Sequence, residues 1–161
     1  SIKENLEGKN VTLDVVNIDN NNVFSAEEAI RDLVVSFPST PPSAGTPPQL
    51  GKTYGPNMLI CLNATNTICA YQAVVDHNKV GQIQILGYYD SEEILTAIEK
   101  RVIQATVTVD ANRVGASCVT TLMEYLDLGR TSDFTPVGLQ LVTAANLKDY
   151  RAAHAETEGA K

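Results

Sequence analysis

The sequence predicts an α/β fold: a three-layer, doubly wound and mostly parallel sheet of about five strands. Two observations carry it. Short β-branched or apolar runs take turns with segments of helical periodicity along most of the chain. Its 161 residues are 43% hydrophobic and 19% charged, an ordinary globular profile that disfavours disorder, collagen and coiled coil. A chain this long buries about two thirds of its unfolded surface, so folding requires neither disulfide nor metal.

The elements follow in order. Val11 to Ile18 alternates and is β-branched, which reads as a strand ending in the turn residues 19–22. Ser25 and Glu28 form a capping-box pattern ahead of a stripe of Ala29, Ile30, Leu33, Val34 and Phe37. Met58 to Leu62 is apolar on both faces, as a central parallel strand would be. A helix is expected over Asn63 to Asp76 with Ile68, Tyr71 and Val75 on one side. A strand follows over Gln82 to Leu86, with Gly87 opening the turn after it. Asp90 then caps a helix, with Glu93 at its third position and Ile94, Leu95 and Ile98 buried. Gln104 to Val109 is the fourth strand, Asn112 to Leu126 an amphipathic helix stopped by Gly129, and Gly138 to Val142 the last strand. Residues 147–161 read as a polar tail.

One segment breaks the rhythm. Six of the seven prolines lie between Pro38 and Pro56, and from Leu33 to Val75 the only charged side chain is Lys52. A long surface loop accounts for it; a partner-recognition segment is the alternative, because Pro-Pro steps keep backbone extended and accessible.

Composition removes several function classes. The net charge of −7 offers no basic face, so no nucleic-acid partner is expected. No apolar stretch is long enough to span a membrane. No basic-then-apolar leader stands at Ser1, so an export signal is expected to lie outside this chain. Cys61, Cys69 and Cys118 sit in apolar contexts without C-x-x-C spacing and read as buried free thiols. His77 and His154 are far apart, which makes zinc improbable. The sequence has no glycine-rich phosphate loop, nucleophile elbow or H-E-x-x-H, so neither a cofactor, a metal nor an enzymatic activity is expected. A Rossmann-type enzyme is disfavoured because residues 18–22 contain no glycine.

Ligands of open parallel sheets bind outside the carboxyl ends of the strands. Asn17 and Asp19, then Asn63, Thr65 and Asn66, then Tyr88, Tyr89 and Asp90, then Asp110 and Asn112 fall there. Amides, hydroxyls, carboxylates and aromatic faces suit a polyhydroxylated ligand. The plainer alternatives are that Asn63, Asp90 and Asp110 cap the helices they precede and that one of the tyrosines packs.

At this point a resemblance enters. Met58-Leu59-Ile60-Cys61-Leu62-Asn63, Ile83-Gln84-Ile85-Leu86-Gly87-Tyr88-Tyr89-Asp90, Ile103-Gln104-Ala105-Thr106-Val107, Gly115 and Leu141-Val142-Thr143-Ala144-Ala145-Asn146 stand in that order. Together they resemble the second half of a type 1 periplasmic (solute-) binding protein of the ribose- and galactose-binding kind. Its lobes are shared with the ligand domains of lac-type repressors. The resemblance runs from Val11 to Asn146 and looks closer to the transport and sensing branch.

It implies that residues 1–146 are a C-terminal lobe that closes by hinge motion on a sugar-like ligand, in an extracytoplasmic protein read by an ABC transporter or a sensor kinase. A lac-type repressor's effector domain is the alternative. By resemblance the ligand residues are Asn63, Tyr89, Asp90 and Asp110. Three positions depart from the family pattern: Ala64 follows the asparagine, Tyr89 replaces an aspartate, and Val109 replaces a glutamine. Residues 112–128 would be the helix that crosses to a first lobe. Its face of Val114, Cys118, Val119, Leu122, Met123 and Leu126 needs cover, worth roughly 1.5–3 kcal/mol per side chain. Without that lobe the helix is expected to swap with a second copy, giving a homodimer, or to fold back on its own sheet.

Overall fold

The computed structural model describes residues 2–6, 8–9, 11–19, 22–36 and 56–158. The elements are α1 (Ile2–Leu6), α2 (Val23–Val35), β1 (Met58–Ile60), α3 (Ala64–Asp76), β2 (Gln84–Tyr88), α4 (Glu92–Glu99), β3 (Ala105–Val109), α5 (Ala111–Leu128), β4 (Leu139–Thr143) and α6 (Leu147–Glu158). The sheet runs in the order β1-β2-β3-β4; β1, β2 and β3 pair in parallel and β4 joins antiparallel. It is an α/β fold with a mostly parallel sheet, of four strands among the described residues.

Register and burial decide which face is covered. Leu59 pairs with Ile85, Gly87 with Thr106, and Thr106 with Val142. All of these are buried. The helices α2, α3, α4 and α6 pack side by side in that order. Ile30 and Val34 of α2, Ala70 and Val74 of α3, and Ile94 and Ile98 of α4 fill one core with Ile83 and Ile85. The opposite face, with Met58, Ile60, Leu139 and Leu141, is exposed, and no helix among the described residues buries it.

Several expectations change. Residues 11–19 join no strand ladder, and Val11, Leu13, Val15 and Val16 are exposed, although Ile18 packs on the core. Alternation makes a strand only where a partner edge and a covering layer are available. Those residues gain neither, and β1 is consequently an edge strand among the described residues, not a central one. The Pro-rich segment 38–56 lies outside the described residues except for Pro56, as does Phe37.

Asn22, not Ser25, is the N-cap of α2, accepting from the Ser25 N–H at 3.3 Å. The buried face of α3 is the small-residue one (Thr67, Cys69, Ala70, Ala73, Val74), while Val75 is exposed. Small side chains let α3 approach both α2 and β2 closely. Gly87 lies within β2 rather than in a turn. Cys61 and Cys69 are buried, but Cys118 is exposed on α5. Residues 147–158 form α6 in place of a polar tail, with Leu147 buried and Tyr150 packed on the core.

α5 ends at Gly129, whose φ of 66° is left-handed backbone that favours glycine. None of its residues is buried. Val119, Leu122, Met123 and Leu126 are 59–73% exposed. The helix therefore does not fold back on its own sheet. β4 returns antiparallel beside β3.

Candidate functional site

The candidate site is the row formed by the carboxyl ends of β1, β2 and β3. Backbone and buried hydroxyls weld it together. Asn63, at φ −150° and ψ 167°, caps α3 through its Oδ1, which accepts the Asn66 N–H at 2.7 Å. Thr67 is fully buried; its hydroxyl donates to Asn63 O at 2.8 Å and accepts the Tyr88 N–H at 3.0 Å. The head of α3 is thus fixed to the end of β2. Asn66 Oδ1 beside it is buried and has no hydrogen-bond partner.

Tyr89 follows with a φ of 87°, a left-handed conformation costly for a bulky residue. Two bonds hold it there. Its N–H donates to Val107 O at 2.9 Å, and the buried Thr106 hydroxyl donates to Tyr89 O at 2.7 Å. The Tyr89 side chain is half exposed. Strain kept at a strand end, with an aromatic ring presented to solvent, fits a binding position better than a packing one. Tyr89→Gly is expected to leave stability unchanged or to raise it by up to about 1 kcal/mol. A lower urea midpoint would show that the ring is structural.

Asp90 does not cap α4. The helix begins at Glu92, so the half-in position belongs to Ser91, whose hydroxyl accepts the Ile94 N–H at 3.5 Å. Asp90 Oδ2 instead accepts from the Tyr150 hydroxyl of α6 at 2.5 Å. Asp110 is the N-cap of α5, accepting the Arg113 N–H at 3.0 Å.

Tyr150 connects these groups. Burial, then the hydrogen bond to Asp90 and its charge, push its phenol well above the ordinary range; the Asp110 charge adds to this and a bond from Thr108 opposes it. The phenol therefore stays a donor to Asp90. Sequence reasoning missed Tyr150, Thr67, Thr106 and Thr108. Leu147, Tyr150 and His154 do recur at i, i+3 and i+7, a helical signal inside the supposed tail. Among the described residues no three or more His, Cys, Asp or Glu come together as a metal-ligand group.

No protein-family model matches the sequence, and no curated protein is significantly similar to it. Solved structures are. A solute-binding protein of an ABC transporter from Agrobacterium vitis, bound with α-D-tagatopyranose, superposes with a TM-score of 0.74 at 11% identity, covering 95% of this chain and 46% of that one. The chain has the fold of one lobe of a type 1 periplasmic solute-binding protein. A carbohydrate-transporter solute-binding protein from Agrobacterium radiobacter in complex with D-arabinose gives 0.67 at 17% identity over 92% of this chain and 46% of that one. A chain of the XylFII–LytSN complex gives 0.59 at 21% identity over 84% and 43%. The lobe spans about half the length of the solved chains it matches.

Proposed function

We propose that the chain is the C-terminal lobe of an extracytoplasmic solute-binding protein that closes by hinge motion on a sugar or a similar small polar ligand, for ABC-type uptake or for sensing, and that it is not an enzyme. The row at the carboxyl ends of β1, β2 and β3 carries this reading. It combines an orphaned amide oxygen on Asn66, an exposed aromatic ring on Tyr89 whose backbone the buried Thr106 hydroxyl holds, and a carboxylate on Asp90 held by the Tyr150 hydroxyl. Such groups pair with ligand hydroxyls and cover an apolar ring face. Asn63 and Asp110 enter this reading mainly as the caps that hold the row in place.

The sugar ligands of the tagatose- and arabinose-bound neighbours support the ligand class. The XylFII–LytSN neighbour is itself a complex of two proteins, which supports a partner on the outside of the lobe. The exposed face of α5 is where a first lobe would seat; in the isolated lobe a second copy is the competing occupant.

The test is a thermal-shift screen of the full two-lobed protein against D-tagatose, D-arabinose, other sugars and polyols. A ligand at about 100 times its Kd adds about 2.7 kcal/mol and raises Tm by roughly 5–10 °C. Asp90→Ala is expected to abolish the shift. Success of a non-sugar class with failure of every sugar would replace the sugar assignment.

A further inference from the structure

The Asp90 carboxylate is held from one side only. Its Oδ2 accepts the Tyr150 hydroxyl, while among the described residues its Oδ1 accepts no hydrogen bond.

The ring that carries the hydroxyl is itself immobilised. It stacks on His154 with centroids 4.1 Å apart and an interplanar angle of 29°. The next residue, Arg151, bonds Glu92 at 2.6 Å and reaches Glu99 at 3.6 Å, tying α6 along α4. These contacts hold the hydroxyl against Asp90, two residues past the end of β2.

We propose that Tyr150 is the positioning residue of the Asp90 carboxylate: it fixes one oxygen so that the other faces the ligand hydroxyls at the strand ends. The inference deepens the solute-binding reading and rests on it. It also makes the C-terminal helix part of the site's support rather than an appendage.

The experiment compares the wild type, Tyr150→Phe, Asp90→Asn and the double variant of the full protein, with D-tagatose and D-arabinose as probes in calorimetry. Phenylalanine keeps the ring and its stacking, so the variant is expected to fold, with a thermal midpoint without sugar lowered only by the loss of one hydrogen bond. The affinity for the bound sugar is expected to fall about tenfold or more, as for loss of a hydrogen bond to a charged group. The double variant is expected to bind no worse than Asp90→Asn alone, because both changes remove one function.

Full affinity in Tyr150→Phe alongside loss in Asp90→Asn overturns the inference and leaves the sugar reading standing. If neither sugar binds the wild type, these ligands are wrong, and tyrosine titration by ultraviolet difference spectroscopy decides the inference separately. Earlier ionisation of one phenol in Asp90→Asn, absent from the titration of the double variant, upholds the Tyr150–Asp90 coupling. An unchanged titration overturns it.

Discussion

Alanine at position 87 is expected to destabilise the protein by about 1–3 kcal/mol. A Cβ on Gly87 would lie 2.5 Å from Thr67 Cγ2 and 3.4 Å from Thr106 Oγ1. Removing glycine from a strand interior ordinarily helps by roughly 0.5–1 kcal/mol, because the unfolded chain loses freedom. Here the clash is the larger effect. Thr67 cannot swing aside, since its hydroxyl is committed to Asn63 O and to the Tyr88 N–H. Moving it would strand buried polar groups at about 1–3 kcal/mol.

Thr67→Ser separates the contributions. Serine keeps the hydroxyl and deletes the offending methyl, so Gly87→Ala is expected to cost less in that background by about 1 kcal/mol. Urea midpoints of the four proteins measure the coupling. Additive effects would mean that Thr67 and Gly87 do not touch. Because the same hydroxyl fixes the Asn63–Tyr88 junction, Gly87→Ala should weaken ligand binding as well.

Alkaline pH is expected to unfold this protein through Cys61. Burial, with a smaller contribution from the charge of Cys69, pushes the Cys61 thiol up from 9.0 to about 12. The folded protein thus holds the neutral thiol while the unfolded chain ionises it. The stability that follows is fully present below pH 9, declines as pH rises through the interval, and is gone near pH 12. The slope is about 1.4 kcal/mol per pH unit, so roughly 3 kcal/mol is lost by pH 11. Cys61→Ala creates a small packing defect at every pH but is expected to flatten this decline. Equal slopes for wild type and variant between pH 9 and 11 would exclude Cys61 as the cause.

The helices α3 and α4 and the strands β2, β3 and β4 were legible in sequence because their cores are local and periodic, and α5 because its apolar stripe is periodic although none of its residues is buried. Ile94, Leu95 and Ile98 bury as their spacing requires. Strand ends were harder. Gly87 looked like turn punctuation, although its absent side chain serves the close approach of Thr67 from another element. Val11 to Ile18 has a strand's alternation but no ladder, because pairing needs an edge that alternation alone cannot supply.

The site divides the same way. Position along the sequence placed Asn63, Tyr89, Asp90 and Asp110 at the carboxyl ends of strands, and the resemblance named the fold that solved structures share. The roles of these residues depended on long-range geometry. Asp90 and Ser91 are equally good capping residues in sequence, and only the start of α4 at Glu92 assigns the cap to Ser91. That frees Asp90 for Tyr150, a partner 60 residues away.

Composition and local pattern thus determined the α/β class, the order of most elements and the end of the sheet at which the candidate residues stand, because these depend on interactions within a few residues. Tertiary structure alone decided the strain at Tyr89, the hydroxyl network beneath it and the hold of Tyr150 on Asp90. Those depend on which distant residues the packed helices bring to one edge of the sheet.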